Sequence, residues 1–180
     1  MDSKTRKMIY AALFTALSFI ATYAIKIPTP TMGYIHPGDS IVLLSGIFLG
    51  PVYGGLAAGI GSFFCDMAGG YAIYAPGTLI IKALTAAAAS GLFGVLKKRK
   101  SGNRVAVLIS GIAAELIVIF GYFFYEIFVF GVMGNGFTVA NILSGVTIAA
   151  SSLLFTVVQS TVGIVLAVIL YPVLEKVFNR

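Results

Sequence analysis

The chain is built from apolar runs long enough to cross a bilayer, broken by proline, glycine and short clusters of basic residues. The first run, residues 8–25, follows Lys4, Arg6 and Lys7 and contains no charge. At about 18 residues it exceeds the roughly 7–15 of a signal-peptide core, and no small-x-small cleavage site follows it, so it reads as a retained first helix. Only 10% of the 180 residues are charged and 59% are hydrophobic. A soluble domain carries about 25% charged residues, and one this poor in charge would expose large apolar patches. A span needs about 20 apolar residues, so this length with short loops holds about six helices and leaves no room for a separate soluble domain. The expectation is an all-α integral membrane protein: a six-transmembrane-helix bundle and a single domain over 1–180.

The breaks place the helices at about 4–27, 38–50, 51–67, 76–96, 105–130 and 139–177. Pro28 and Pro30 stop the first, because proline lacks an N–H donor and restricts the residue before it. Asp39 caps the second and complements its dipole. Gly50-Pro51, with Gly54-Gly55 close behind, is a strong breaker cluster and separates the second helix from the third. One kinked helix over 38–67 is the alternative. The last segment exceeds one span and is expected to begin as a separate turn around 140–143. With six helices, the basic clusters at 4–7, 97–104 and 176–180 fall on one face, the cytoplasmic one by the positive-inside rule; with five they do not. Both termini are then cytoplasmic, and the loops 28–37, 69–76 and 131–138 lie together outside. The net charge of +6 is carried by these helix-end clusters and not by one basic face, which argues against nucleic acid as a partner.

Ionisable groups within apolar sequence are costly and mark functional sites. Lys26, His36, Asp39, Asp66, Lys82 and Glu126 gather in the outer half, and only Glu115 lies near the middle. Around them stand Tyr34, Tyr71, Tyr74, Tyr122, Asn135, Asn141 and Gln159. Tyrosine offers an apolar face and a hydroxyl together, a mixture suited to a small polar ring compound. The candidate substrate-binding residues are His36, Asp39, Asp66, Tyr71, Tyr74, Lys82, Tyr122, Glu126, Asn135 and Asn141. Each has a plainer reading: Lys26 snorkelling to the interface, Asp39 as a cap, Asp66 paired with Lys82 inside the bundle, Tyr71 and Tyr74 as belt aromatics. No P-loop stands in the chain to bind ATP. One histidine and one cysteine, Cys65, make no metal site and no disulfide. No catalytic triad, zinc-protease motif, selectivity-filter sequence or inverted repeat is found. Neither an enzyme nor a cofactor is expected, and a self-standing carrier or channel would need polar residues through both halves.

The small-residue first helix AALFTALSFIATYAIKIPTP is followed by GYIHPGDSIVLLSGIFLGPVYGGLAAGIGSFFCDMAGGYAIYAPGTLIIKAL. Its order of His-Pro-Gly-Asp, Gly-Pro-x-Tyr-Gly, Gly-Ser-x-x-x-Asp and Tyr-Ala-Pro-x-Thr-x-Ile-Ile-Lys resembles the substrate-binding (S) components of energy-coupling factor (ECF) transporters, a branch of the ABC vitamin importers. The likeness is strongest over residues 9–85 and looks like the hydroxymethylpyrimidine, pyridoxine and riboflavin subgroup. The resemblance implies six helices and residence in the bacterial cell membrane. It also implies a ligand site near the outer surface, closed by the loops after the first and third helices. The partners it implies are a vitamin, a membrane-embedded coupling subunit and two cytoplasmic ATPase subunits. Ala12 and Ala16 match the Ala-x-x-x-Ala motif that meets the coupling subunit in that family, where transfer is thought to involve toppling of the S component. Pyridoxine or hydroxymethylpyrimidine is the first expectation for the ligand, with riboflavin or pantothenate as alternatives.

Overall fold

A computed structural model describes residues 3–29, 33–99, 102–133 and 136–178. Among them five helices are long and apolar enough to cross a membrane. Helix α1 is Ser3–Ala24, α2 Asp39–Gly69, α3 Ala75–Lys98, α4 Asn103–Glu126 and α5 Val139–Phe178. The inventory is thus five and not the six expected, because the two segments expected at 38–50 and 51–67 join in α2.

That join is a reversal. Gly50 has φ +85° and ψ 174° inside α2, with Pro51 directly after it. A positive φ is open to glycine without a Cβ clash, and proline suits a first helical turn. Ser45 Oγ donates to the Gly54 carbonyl at 3.1 Å, whereas nine residues of continuous helix would separate these positions by about 13 Å. The limbs 39–49 and 51–69 therefore fold back on each other. Both pack on α3: a Cβ at Gly46 would run into the Ala86 carbonyl, and one at Gly55 or Gly59 would press on the carbonyls of Ala83 or Leu79. Small residues at these positions are what bring the backbones so close where lipid supplies no hydrophobic drive.

Two other expectations change. The first helix ends at Ala24, and the connection that follows is not a plain loop. Ile27–Pro28 (β1) pairs antiparallel with Tyr34–Ile35 (β2), a short strap across one end of the bundle. The last helix is one unbroken element of 40 residues from Val139, with no separate turn at 140–143. Thr138 Oγ1 accepts the Asn141 N–H at 3.2 Å, so a side-chain cap starts the helix directly. Before it, α4 widens into a π-helical turn, Ile127–Met133, which lies against α5 where Gly131 meets Gly145.

The core centres on Phe14, Leu43, Leu44, Phe93, Val107 and Tyr171, while large apolar side chains such as Val52, Phe64, Phe124 and Leu154 face outward. That is the pattern of a surface facing lipid. At one end Arg6, Lys7, Lys97 and Glu175 border a common cavity beside the α2 reversal, and Glu175 accepts from Tyr171 Oη at 2.9 Å and Asn103 Nδ2 at 2.7 Å. The opposite end carries the strap.

Candidate functional site

Beneath the strap, polar side chains from α1, α2, α3, α4 and α5 converge on one cavity of about 60 Å³. Its wall is Thr22, Thr29, Gly33, Tyr34, Ile35, His36, Ser62, Asp66, Tyr74, Thr78, Tyr122, Glu126, Ser152, Phe155, Thr156 and Gln159. Helical spacing explains the convergence. Ser62 and Asp66 stand one turn apart on α2, Tyr74 at the cap of α3 stands one turn before Thr78, Tyr122 and Glu126 are one turn apart on α4, and Ser152, Phe155, Thr156 and Gln159 make an i, i+3, i+4, i+7 stripe on α5.

The two carboxylates of the wall are held differently. Glu126 accepts from Tyr74 Oη at 3.2 Å and, through its other oxygen, from Ser152 Oγ. Asp66 accepts from Tyr34 Oη at 2.5 Å through Oδ1, while its buried Oδ2 has no partner; Thr22 Oγ1 and Ser62 Oγ are buried and unpartnered in the same wall. Burial, reinforced by the adjacent carboxylates, raises the pKa of Tyr34 and Tyr74, so both keep their protons and donate. His36 Nδ1 accepts the Gly38 N–H at 3.1 Å. Burial pulls its imidazole down to about 4 although Asp39 is nearby, so this side chain is neutral and carries its proton on Nε2.

A second polar layer lies behind the first. Lys82 Nζ meets Asp39 Oδ1 at 2.5 Å with both side chains fully buried, Gln159 Nε2 donates to Asp39 Oδ2 at 2.8 Å, and Lys82 Nζ sits 5.2 Å over the Tyr122 ring. Thr78 and Tyr122 share a hydroxyl–hydroxyl bond of 2.9 Å. Gln159 and Tyr122 thus link the cavity wall to the ion pair. Glu115 is buried farther in with neither oxygen hydrogen-bonded.

Of the residues expected at a binding site, His36, Asp66, Tyr74, Tyr122 and Glu126 line the cavity. Asp39 and Lys82 do not; they pair with each other one layer behind, so the anticipated Asp66–Lys82 pair is replaced by Asp39–Lys82. Tyr71 stacks obliquely on Tyr34 at 4.5 Å outside the wall. Lys26 stands over Tyr23 at 4.2 Å, Tyr34 at 4.9 Å and Tyr71 at 5.7 Å, a cation–π position in place of free snorkelling. Asn141 belongs to the start of α5, donating to the Gly136 carbonyl at 3.0 Å, and Asn135 lies outside the described residues. Ala12 and Ala16 are exposed and border a shallow groove with Gly61 and Phe64. The hydroxyls Thr22, Ser62, Thr78, Ser152 and Thr156 were not anticipated; their one-turn spacing with Asp66, Tyr74 and Gln159 is the signal that finds them.

Three comparisons bear on this arrangement. The family described as "ECF-type riboflavin transporter, S component" matches residues 2–176. A Pyrococcus woesei protein described as "Uncharacterized protein in gap 3'region" is 27% identical over 157 residues, 87% of this chain and 98% of its own length. A solved structure described as "Structure and mechanism of the S component of a bacterial ECF transporter" aligns with a TM-score of 0.68 at 17% identity, covering 99% of this chain and 100% of that one. At that identity the likeness carries the fold alone.

Proposed function

The chain belongs to the S components of ECF-type riboflavin transporters, and on that premise we propose that it is the membrane-embedded binding subunit of an importer for a small, ringed, hydroxyl-rich vitamin. The observation that carries this reading is the one-sided distribution of polar groups. The cavity lies under the strap at one end. Past the Asp39–Lys82 layer and Glu115, the bundle closes on Phe14, Leu43, Leu44, Phe93 and Val107. Such a layout holds a solute and gives it no hydrated way through, so transfer needs a partner: a membrane coupling subunit driven by two cytoplasmic ATPase subunits. The exposed Ala12 and Ala16 are the proposed contact with the coupling subunit.

Tyr34, Tyr74, Tyr122 and Phe155 give the cavity flat apolar faces for a ring, and its hydroxyls and carboxylates give positions for polar substituents. Riboflavin, named in the family's description, and pyridoxine or hydroxymethylpyrimidine are the ligands to test. A cavity of about 60 Å³ has room for a few waters, so each of these ligands requires the strap to move, and the single-ring compounds require less movement. The two limbs of α2 support counting six spans, with the start of α1, the end of α5 and the basic residues beside the α2 reversal on the cytoplasmic side of the cell membrane.

The test is equilibrium binding to the purified chain, followed by flux in liposomes with and without the coupling module. Stoichiometric binding with no flux by the chain alone supports the reading. Flux by the chain alone would favour a self-standing carrier and end it.

A further inference from the structure

Resting on that binding-subunit reading, we propose that the cavity selects by charge: it takes ligands that present a hydrogen-bond donor or a positive charge to Asp66, and it rejects ligands carrying a phosphate or carboxylate. The wall holds two acidic side chains, Asp66 and Glu126, and among the described residues no lysine or arginine lines it. Residues 30–32, outside the described set, are Pro-Thr-Met and bring no charge. The one histidine of the wall is neutral, with Nδ1 engaged by the Gly38 N–H.

The cations nearby are engaged elsewhere. Lys82 is fully buried against Asp39, which leaves that pair without net charge. Lys26 lies over the rings of Tyr23, Tyr34 and Tyr71, outside the wall. Glu115 adds a third buried carboxyl group deeper in. An anionic ligand would therefore enter a buried cavity beside acidic groups, with no cation among the described lining residues to receive it, and like-charge contacts of this kind cost enough to lower affinity by about 100-fold or more.

Attraction of donors has its own, independent sign. Asp66, 3% exposed, lines the cavity with Ser62 one turn earlier and Thr22 on α1, and Asp66 Oδ2, Ser62 Oγ and Thr22 Oγ1 are buried without a hydrogen-bond partner. A buried carboxylate oxygen left unsatisfied is costly, and a ligand N–H or O–H removes that cost on binding. Glu126 has both oxygens occupied by Tyr74 and Ser152, so Asp66 is the acceptor that remains for the ligand.

The experiment measures equilibrium binding to the purified full chain in detergent by titration calorimetry. The probes are two pairs, riboflavin against its 5′-phosphate and pyridoxine against pyridoxal 5′-phosphate, with pantothenate as a carboxylate probe. The expected result is that at least one unphosphorylated parent binds, that its phosphate ester binds about 100-fold more weakly, and that pantothenate gives no heat. Asp66→Asn keeps an acceptor for Tyr34 and removes the charge; it is expected to weaken the parent about 10-fold while narrowing the ester-to-parent ratio. Ser62→Ala serves as the second variant, expected to weaken the parent and leave the ratio unchanged. A phosphate ester or pantothenate binding within 10-fold of the best parent overturns the charge rule and leaves the binding-subunit reading intact. An Asp66→Asn protein that folds, binds the parent and keeps the full ratio also overturns it. Binding of none of the probes removes the vitamin reading and this inference with it.

Discussion

Replacing Lys82 by Met tests whether the layer behind the cavity is held by charge. Both partners are fully buried and the Nζ–Oδ1 separation is 2.5 Å. At an effective dielectric of about 20, the attraction at that distance is about 7 kcal/mol. Methionine keeps the straight side chain but leaves Asp39 with Gln159 as its remaining side-chain partner. The loss has a ceiling, because Asp39 can take up a proton: neutralising an ordinary carboxyl of pKa about 3.9 costs about 4 kcal/mol at pH 7 and about 1.5 kcal/mol at pH 5. Breaking a buried pair from one side costs about 3–5 kcal/mol, so Lys82→Met should lose about 3–4 kcal/mol at pH 7 and less than half of that at pH 5. The double variant Asp39→Asn/Lys82→Met carries no buried charge at this position and should lie within about 1 kcal/mol of the parent. Cys65, the single cysteine of the chain, is fully buried and reports unfolding through a thiol-reactive dye in a thermal ramp. For a chain of this size the single variant should melt roughly 6–16 °C lower at pH 7, with the double variant close to the parent. A Lys82→Met protein as stable as the parent, or a double variant as unstable as the single one, would refute the reasoning.

Acid should weaken the fold through His36. Its folded pKa is about 4 against 6.5 when unfolded, so the unfolded chain binds more protons between these values and stability falls as pH drops through that window. The loss between pH 7 and pH 5 is on the order of 2 kcal/mol; His36→Asn, which keeps an acceptor for Gly38, should flatten that limb in the same dye assay. Gly46→Ala drives a Cβ into the Ala86 backbone and should cost about 1–3 kcal/mol or more, whereas Gly94→Ala, in open space on α3, should be neutral or stabilise by up to about 1 kcal/mol; equal melting temperatures for the two would contradict the close approach. Ala16→Trp should leave ligand binding to the purified chain unchanged and abolish energised uptake, measured in cells expressing the whole importer; lost binding would place Ala16 with the site.

Much of the architecture was legible because a bilayer leaves few alternatives. Apolar runs mark the chain as membrane-spanning and all-helical, though the structure has five such helices and not six; Gly50-Pro51 marks the reversal inside α2, and the expense of ionisable groups in hydrocarbon points to one end of the bundle, where His36, Asp66, Tyr74, Tyr122 and Glu126 share a cavity. What the residue order does not carry is which polar groups meet. Asp39 and Lys82 are 43 positions apart, and Asp66 was an equally good partner for that lysine on composition alone; the reversal at Gly50 and the packing of Gly46 on Ala86 decide it. The strap has no signature in the sequence because two-residue strands leave no periodicity to read.

The hydroxyls are the most instructive omission. In an apolar helix a serine or threonine commonly bonds its own chain one turn back, as Thr147, Ser151 and Thr161 do with carbonyls four residues earlier, so a hydroxyl alone signals little. Ser152 departs from that pattern by reaching Glu126 as well, and it does so from the same face as Phe155, Thr156 and Gln159. The spacing i, i+3, i+4, i+7 puts three polar side chains and one aromatic on a single face of α5, and that face is turned toward the other helices. Read with the one-turn pairs Ser62/Asp66, Tyr74/Thr78 and Tyr122/Glu126, the stripe reduces the search from scattered polar residues to four facing helix surfaces. Spacing on the helix, and not residue type, is therefore the feature that separates a hydroxyl serving its own backbone from one available to a ligand.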